Sequence, residues 1–111
     1  MERFLWKGHV MDGKLEEYTR KHQEIWPEME QLMRRAGMQN YSIWHNGNDL
    51  IGYYEFLGME HKNQIYQEHQ DILDRWNAHM GGIMEMDKDE AGHVKAYEMV
   101  WLNGVRRRYH E

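Results

Sequence analysis

The sequence predicts an α+β domain in which strands and helices follow the order β-α-β-β-α-β. Three observations support this prediction. Segments with apolar residues at every second position alternate with segments whose apolar residues recur every three or four positions. Asn46-Gly47 separates two of the strand-like segments, and this dipeptide is typical of a two-residue type I′ hairpin turn. The length of 111 residues suits one domain.

The first half of the chain begins with a strand and continues with two helices. Apolar residues alternate with polar ones from Glu2 to Met11, and Gly8 indicates a bulge or a close approach of another backbone. Helical spacing predicts a helix from Lys14 to Glu24. Pro27 cannot continue this helix but suits the first turn of a second one, for which Gly37 is a natural C-terminal cap.

The second half predicts a hairpin, a helix and a last strand. Strand-like patterning covers Met38–His45 and Leu50–Leu57, on either side of the turn. Helical spacing runs from Glu60 to about Met80, and Gly81-Gly82 should end or kink that helix. A last strand is predicted over Lys95–Leu102. This order is that of the split-βαβ or ferredoxin-like fold, with helices on one face of a four-stranded antiparallel sheet.

The predicted strands carry large residues on both faces. In the third strand, Tyr53 and Leu57 lie on one side, and Tyr54 and Phe56 on the other. A sheet covered by helices on one side only should be polar on the other side. The second apolar face therefore predicts a partner, most simply a second copy of the chain in a two-fold homodimer.

Composition and charge exclude several functions. The formal net charge is −5, so nucleic-acid binding has no global electrostatic support. The one basic run, Arg106–Arg108, belongs to a predicted C-terminal tail over 105–111, which we interpret as solvated, beyond a single domain over 1–104. Charges interrupt every apolar run near the N-terminus, so neither a signal peptide nor a membrane span is predicted.

Cysteine and histidine usage bears on compartment and metal chemistry. The chain has no cysteine, which excludes disulfides and thiolate metal sites and favours the cytoplasm. No two of the eight histidines are spaced i, i+4, and no HExxH motif occurs, so no metal site is predicted. There is no phosphate-binding glycine loop, and Ser42, the only serine, lacks a nucleophile-elbow context.

One group of three aromatic and histidine side chains suggests a functional site. Tyr18, His22 and Trp26 are spaced i, i+4 and i+8, so they would share one helix face for as long as the helix lasts. A phenol, an imidazole and an indole could then line one wall of a site. The spacing alone favours the alternative, an aromatic stripe on an amphipathic helix with a hydrogen-bonded histidine.

Four sequence blocks carry a family resemblance. KHQEIWPEME, NYSIW, RWNAHM and YEMVWL resemble the L-rhamnose mutarotase family, and the match covers nearly the whole chain without large gaps. The resemblance implies a dimeric α/β barrel of two ferredoxin-like subunits. It also implies an isomerase that interconverts the α and β anomers of L-rhamnose or a related deoxy sugar without a cofactor.

The same resemblance implies roles for individual residues. The histidine at the His22 position acts as proton donor, and the tyrosines matching Tyr18 and Tyr41 contact the sugar. A pair of consecutive tryptophans also contacts the sugar in this family. Here the first of the pair is Trp76, but the second is Asn77. An amide thus replaces one flat apolar wall, which leaves the identity of the sugar open.

Three alternatives remain at the level of sequence. Dimeric α/β barrels also include cofactor-free monooxygenases, whose aromatic substrates would suit a pocket lined by Trp and His. A sugar-binding dimer without turnover would keep the pocket and lose the catalysis. A purely structural dimer would bury His22 and Tyr18 away from any cavity.

Overall fold

A computed structural model describes residues 1–104, and the predicted tail at 105–111, with Arg106–Arg108, lies outside the described residues. Four strands form one antiparallel sheet in the order β2-β3-β1-β4. This order and the intervening helices confirm the predicted ferredoxin-like α+β fold. The strands are β1 (Glu2–Val10), β2 (Met38–Asn46), β3 (Asp49–Phe56) and β4 (Met84–Met86).

Four helices cover one face of the sheet. They are α1 (Leu15–Gln23), α2 (Pro27–Arg35), α3 (Met59–Glu68) and α4 (Gln70–His79). The prediction of a single long helix after β3 is wrong, because the chain leaves helical geometry at His69, with φ −128° and ψ 37°. The His69 N–H donates to the carbonyl of Tyr66, and such an i→i−3 bond tightens the end of a helix.

The end of α4 agrees with the sequence. The helix stops before Gly81-Gly82, and Gly82 has a φ of 75°, which glycine adopts at little cost. None of the helices within residues 1–104 combines the length and apolar character that a membrane crossing requires.

The last strand was predicted in the wrong place. Lys95–Leu102 forms no strand, and Met84–Met86 instead pairs with the end of β1, where Gly8 faces Met86. Two apolar residues of this segment are consequently left largely exposed in the described part of the chain. Val100 is 98% exposed and Trp101 is 73% exposed.

The β2–β3 hairpin has a different turn from the one predicted. Asn46 pairs with Asp49, so the two central residues are Gly47 and Asn48 rather than Asn46 and Gly47. Only Gly47 has a positive φ, at 61°. A type I′ turn needs a positive φ at both central positions, whereas a type II′ turn needs it at the first alone, as found here.

The core is centred on Trp6, which is 1% exposed. Its indole lies on the backbone of Gly52, its partner on the adjacent strand β3. A Cβ built on Gly52 would lie 2.0 Å from Cε2 of Trp6, so only glycine leaves room for the ring. The predicted close approach at Gly8 is also confirmed, since a Cβ there would lie 2.4 Å from the Glu85 carbonyl oxygen.

The face of the sheet opposite the helices is partly apolar, as the sequence predicted. In β3, buried residues at even positions alternate with Ile51 and Tyr53, which point to the other face. Trp44 of β2 pairs with Ile51 and is 67% exposed. Its Nε1 donates to Oγ of Ser42 at 2.9 Å, but most of the ring is accessible, so the outer face offers apolar surface for contact with another molecule.

Replacing Gly52 by alanine should destabilise the fold. The new methyl group would collide with the buried Trp6 indole, and such overpacking typically costs about 1–3 kcal/mol. Urea unfolding of Gly52→Ala and Gly58→Ala would test this. Gly58 is the control because its φ of −179° suits any residue and its Cβ would meet nothing closer than 4.0 Å. Equal unfolding midpoints for the two variants would contradict the role of Gly52.

Candidate active site

A cavity of about 780 Å³ lies between the helices and the inward-facing residues of the sheet. Its lining comes from all four helices and all four strands. All five residues predicted for the site line this one cavity: Tyr18, His22, Tyr41, Trp76 and Asn77. The fold therefore brings together side chains that are far apart in the sequence.

His22 lies in the last turn of α1 and is half-buried. Its Nδ1 is 3.0 Å from the carbonyl oxygen of Tyr18. A carbonyl can only accept a hydrogen bond, so Nδ1 carries a proton, and in the neutral ring the lone pair is on Nε2. Burial lowers the pKa of His22, partly offset by this backbone hydrogen bond. At neutral pH the ring is therefore mainly uncharged and able to accept a proton at Nε2.

Tyr18 lies one helical turn before His22, and their rings are 4.5 Å apart. The phenol is buried, which raises its pKa above the ordinary range, and the proximity of Tyr41 raises it further. Tyr18 thus stays protonated at neutral pH. Its hydroxyl can donate or accept a hydrogen bond, but it is not a base.

A β-bulge directs Tyr41 into the cavity. The register of β2 against β3 shifts between Gln39 and Ser42. Asn40, inside the bulge, has a φ of 54°, and its Nδ2 donates to Oε1 of Glu55 at 2.7 Å. Met38 faces inward, so simple alternation along β2 would place Tyr41 on the other face of the sheet, away from the cavity. The extra residue reverses this alternation, a common use of bulges beside functional sites.

The Tyr41 hydroxyl is oriented by the core. Nε1 of Trp6 donates to the Tyr41 oxygen at 3.1 Å. Because the indole N–H can only donate, the phenol proton of Tyr41 remains available to an acceptor in the cavity. The pKa of Tyr41 is raised to about 12, mainly by burial of the hydroxyl; the hydrogen bond from Trp6 lowers this pKa in part, and the nearby Tyr54 raises it. The hydroxyl is thus buried although 37% of the whole residue is exposed. Tyr41 is therefore a neutral donor.

Trp76 of α4 extends the aromatic wall begun by Tyr18 and His22. Its ring meets the His22 imidazole edge-on, with centroids 5.7 Å apart. Trp26, predicted to share the wall, does not line the cavity, because α1 ends at Gln23. Its indole packs edge-on against Trp76 instead, at 5.3 Å, and so supports that ring.

Asn77 stands beside Trp76 at the rim of the cavity and is exposed. Its side chain makes no hydrogen bond to another residue of the described part of the chain. An amide at this position can both donate to and accept from a ligand hydroxyl. It cannot offer the flat apolar surface that an indole would supply.

Sequence reasoning missed several residues that line the cavity, among them Tyr54, Lys62 and Tyr66. A single signal could have indicated the last two. Lys62 and Tyr66 are spaced i, i+4 on α3, on the side that also carries the partly buried Ile65. Tyr54 had been assigned only to an apolar strand face.

The cavity contains little charge. No aspartate, glutamate or arginine within residues 1–104 lines it. The described residues also contain no group of three or more histidine, aspartate or glutamate side chains arranged to hold a metal ion. Among the described residues, the polar groups that line the cavity are thus two imidazoles, four phenols, two amides, one aliphatic hydroxyl and one ammonium group.

Comparison with known proteins gives a consistent result. The sequence model of L-rhamnose mutarotase matches residues 3–103. The L-rhamnose mutarotase of Jannaschia sp. (strain CCS1) is 35% identical over 91 residues, which cover 80% of this chain and 86% of that protein. The L-rhamnose mutarotase of Lachnoclostridium phytofermentans is 32% identical over 93 residues, covering 82% of this chain and 88% of the relative.

A solved structure shares the fold. The crystal structure of an L-rhamnose mutarotase from Formosa agariphila superposes with a TM-score of 0.70, covering 94% of this chain and all of the other, at 24% sequence identity. At this identity the likeness supports the fold alone.

The His22 ring should titrate below pH 6.5, its ordinary value, because burial disfavours the imidazolium form. NMR of the histidine ring carbons across an acid-to-neutral pH series would measure this, with the signal assigned by its loss in His22→Asn. The folded state binds this proton less readily than the unfolded state, so the free energy of unfolding should decrease as pH falls below about 6.5. A His22 signal that titrates above this value would contradict the assignment.

Proposed function

Since this chain belongs to the L-rhamnose mutarotase family, we propose that it interconverts the α and β anomers of L-rhamnose or a related deoxy sugar. The observation that supports this most directly is the neutral His22 imidazole, with its lone pair on Nε2, in an aromatic cavity that is large enough to hold a monosaccharide. Aromatic walls and hydroxyl donors suit a ligand with C–H faces and many oxygens.

Anomer exchange requires the pyranose ring to open and close. The anomeric hydroxyl loses its proton, the bond between C1 and the ring oxygen breaks, and the ring oxygen gains a proton. The resulting aldehyde rotates about C1–C2 and closes on its other face by the reverse steps. No electrons are transferred to an acceptor and no outside nucleophile is consumed, so the reaction requires no cofactor.

We assign both proton transfers to His22. Neutral Nε2 takes the proton of the anomeric hydroxyl, and the imidazolium formed then donates it to the ring oxygen as the C1–O bond breaks. The two oxygens are bonded to the same carbon, so one nitrogen can reach both. These two proton transfers include the proton-donor role that the family resemblance implies. They also explain how an imidazole that is neutral before the reaction becomes the proton donor.

The remaining residues would bind and orient the sugar. Tyr41 would donate its phenol proton to a sugar oxygen because Trp6 already occupies its acceptor side. Tyr18 would bind a second hydroxyl beside His22, and Trp76 would stack on the C–H face of the ring. Asn77 would hydrogen-bond a hydroxyl where relatives with two tryptophans present an indole.

We also propose that the working form is a homodimer in the cytoplasm. Trp44 on the outer face of the sheet, together with Val100 and Trp101, leaves large apolar side chains exposed in one chain. Apolar surface of this kind on a small domain commonly marks a contact with another subunit. The absence of cysteine is compatible with a reducing compartment.

Replacing His22 by asparagine should remove most of the acceleration of anomer exchange. General acid–base catalysis typically contributes about 10²- to 10⁴-fold, and an amide side chain cannot cycle a proton. Exchange NMR on the anomeric protons of L-rhamnose, with and without protein, would measure the loss. His93→Asn is the matched control, since His93 is exposed and does not line the cavity. Full activity in His22→Asn would exclude this mechanism. Sugar binding without any exchange would favour the non-catalytic alternative.

Replacing Trp101 by aspartate should weaken the proposed dimer. The substitution puts a charge into an exposed apolar segment, and burying an unpaired charge at an interface is costly. Sedimentation velocity or light scattering should show a dimer for the original chain and a shift towards monomer for the variant. Gln67→Asp adds the same charge to an exposed polar position of α3 and should leave the dimer intact. A monomeric original chain would contradict the proposal.

A further inference from the structure

Lys62 brings a positive charge to a cavity that otherwise lacks fully charged side chains. The residue projects from α3 and is half-buried. The other ionisable groups that line the cavity within residues 1–104 are histidines and tyrosines. The chain as a whole has 19 acidic residues against 14 basic ones. The absence of an acidic neighbour in the cavity is therefore a local property and does not reflect a shortage of carboxylates.

The Lys62 ammonium group is fixed in place by its surroundings. Nζ donates to the Tyr54 hydroxyl at 2.9 Å. It also lies 5.2 Å from the ring centroid of Tyr54, 5.5 Å from that of Tyr66 and 5.6 Å from that of Phe56. Cations within about 6 Å of an aromatic face are attracted to it. Three rings and one hydrogen bond thus hold the charge beside the cavity.

The ammonium group nevertheless has no counter-ion in the described part of the chain. None of the salt bridges within residues 1–104 involves Lys62. An ammonium group has three N–H donors, and Tyr54 takes one of them. Because Lys62 is half-buried, its charge is less well solvated than in water, and this burial lowers the pKa of Lys62.

The neighbouring Tyr54 hydroxyl can complete an anion site. Its oxygen accepts from Lys62, so its own proton is available to another acceptor. Burial raises the pKa of Tyr54 to about 12, so that proton is retained at neutral pH. A carboxylate could accept one hydrogen bond from the ammonium and one from the phenol, and hydrogen bonds to charged groups are the strong ones.

We propose that Lys62 and Tyr54 form a subsite for a sugar carboxylate, so that the cavity takes hexuronic acids in addition to neutral sugars. This inference rests on the proposed function and names a further substrate class for the same cavity. The carboxylate would contact Lys62 while the anomeric carbon lies at His22. Tyr41 connects the two regions, since its ring is 5.0 Å from that of Tyr54 and its hydroxyl belongs to the site around Tyr18 and His22.

Matched sugar pairs that differ only at C6 would test the subsite. Isothermal titration would compare galacturonate with galactose and glucuronate with glucose, on the original chain and on Lys62→Met. The original chain should bind each uronate more tightly than its neutral counterpart. Lys62→Met keeps an unbranched apolar stem and should weaken uronate binding about tenfold to a hundredfold, with neutral sugars changed by less than about twofold.

Two further variants serve as controls. Lys62→Arg keeps the charge and should keep the preference for uronates. Lys7→Met removes a charge whose Nζ lies over the Tyr97 ring, away from the cavity lining, and should change neither class of sugar. Thermal unfolding of each variant would establish that it is folded. An equal loss of uronate and neutral sugar in Lys62→Met would overturn the inference, because Lys62 would then act only by holding Tyr54.

Anomer exchange of L-rhamnose and of the titrated sugars, measured on the same samples, separates the two proposals. Acceleration of rhamnose exchange without any preference for uronates would leave the mutarotase function intact and overturn the carboxylate subsite. Uronate binding that depends on Lys62, without acceleration of exchange for any sugar, would support the subsite and overturn the proposed catalysis.

Discussion

The contact between the Trp6 indole and the backbone of Gly52 underlies both the core and the cavity. The ring fills the centre of the sheet face that the helices cover, and it fits there only because the facing residue has no side chain. The same indole donates its N–H to the Tyr41 hydroxyl. One buried residue therefore determines how two central strands pack and where a donor points in the cavity. Stability and site geometry are coupled through this contact.

The scarcity of charge in the cavity shapes its chemistry. Burial raises the pKa values of Tyr18, Tyr41 and Tyr54, so these phenols serve as neutral hydrogen-bond donors and acceptors. The same burial lowers the pKa of His22, which makes it the group that can take up a proton. Desolvation thus separates the roles of residues that all carry exchangeable protons, as expected when titratable groups share a partly buried site.

Local patterns predicted the parts of the structure that local forces decide. The i, i+4 spacing placed Tyr18 and His22 on one face because both lie within α1. The prediction of the last strand was wrong because strand pairing depends on competition between segments that are distant in the sequence. Lys95–Leu102 has strand-like alternation, yet it is Met84–Met86 that pairs with β1. Tyr41 shows the same limit, since a bulge centred on Asn40 reverses the alternation, and only the family resemblance pointed to this tyrosine. Lys62 was missed because a charged residue on a helix is normally taken to face water.

The hydrogen bond from His22 to the Tyr18 carbonyl is made within a single turn of one helix. No distant residue is required to decide which imidazole nitrogen carries the proton. In metal-bound histidines and in the Ser-His-Asp triad, that task falls to a carboxylate or carbonyl supplied by another residue of the fold. A histidine with this rotamer on a designed helix would bring its own orienting acceptor, which makes the motif a portable unit for engineering proton-transfer sites into scaffolds that have no second element nearby.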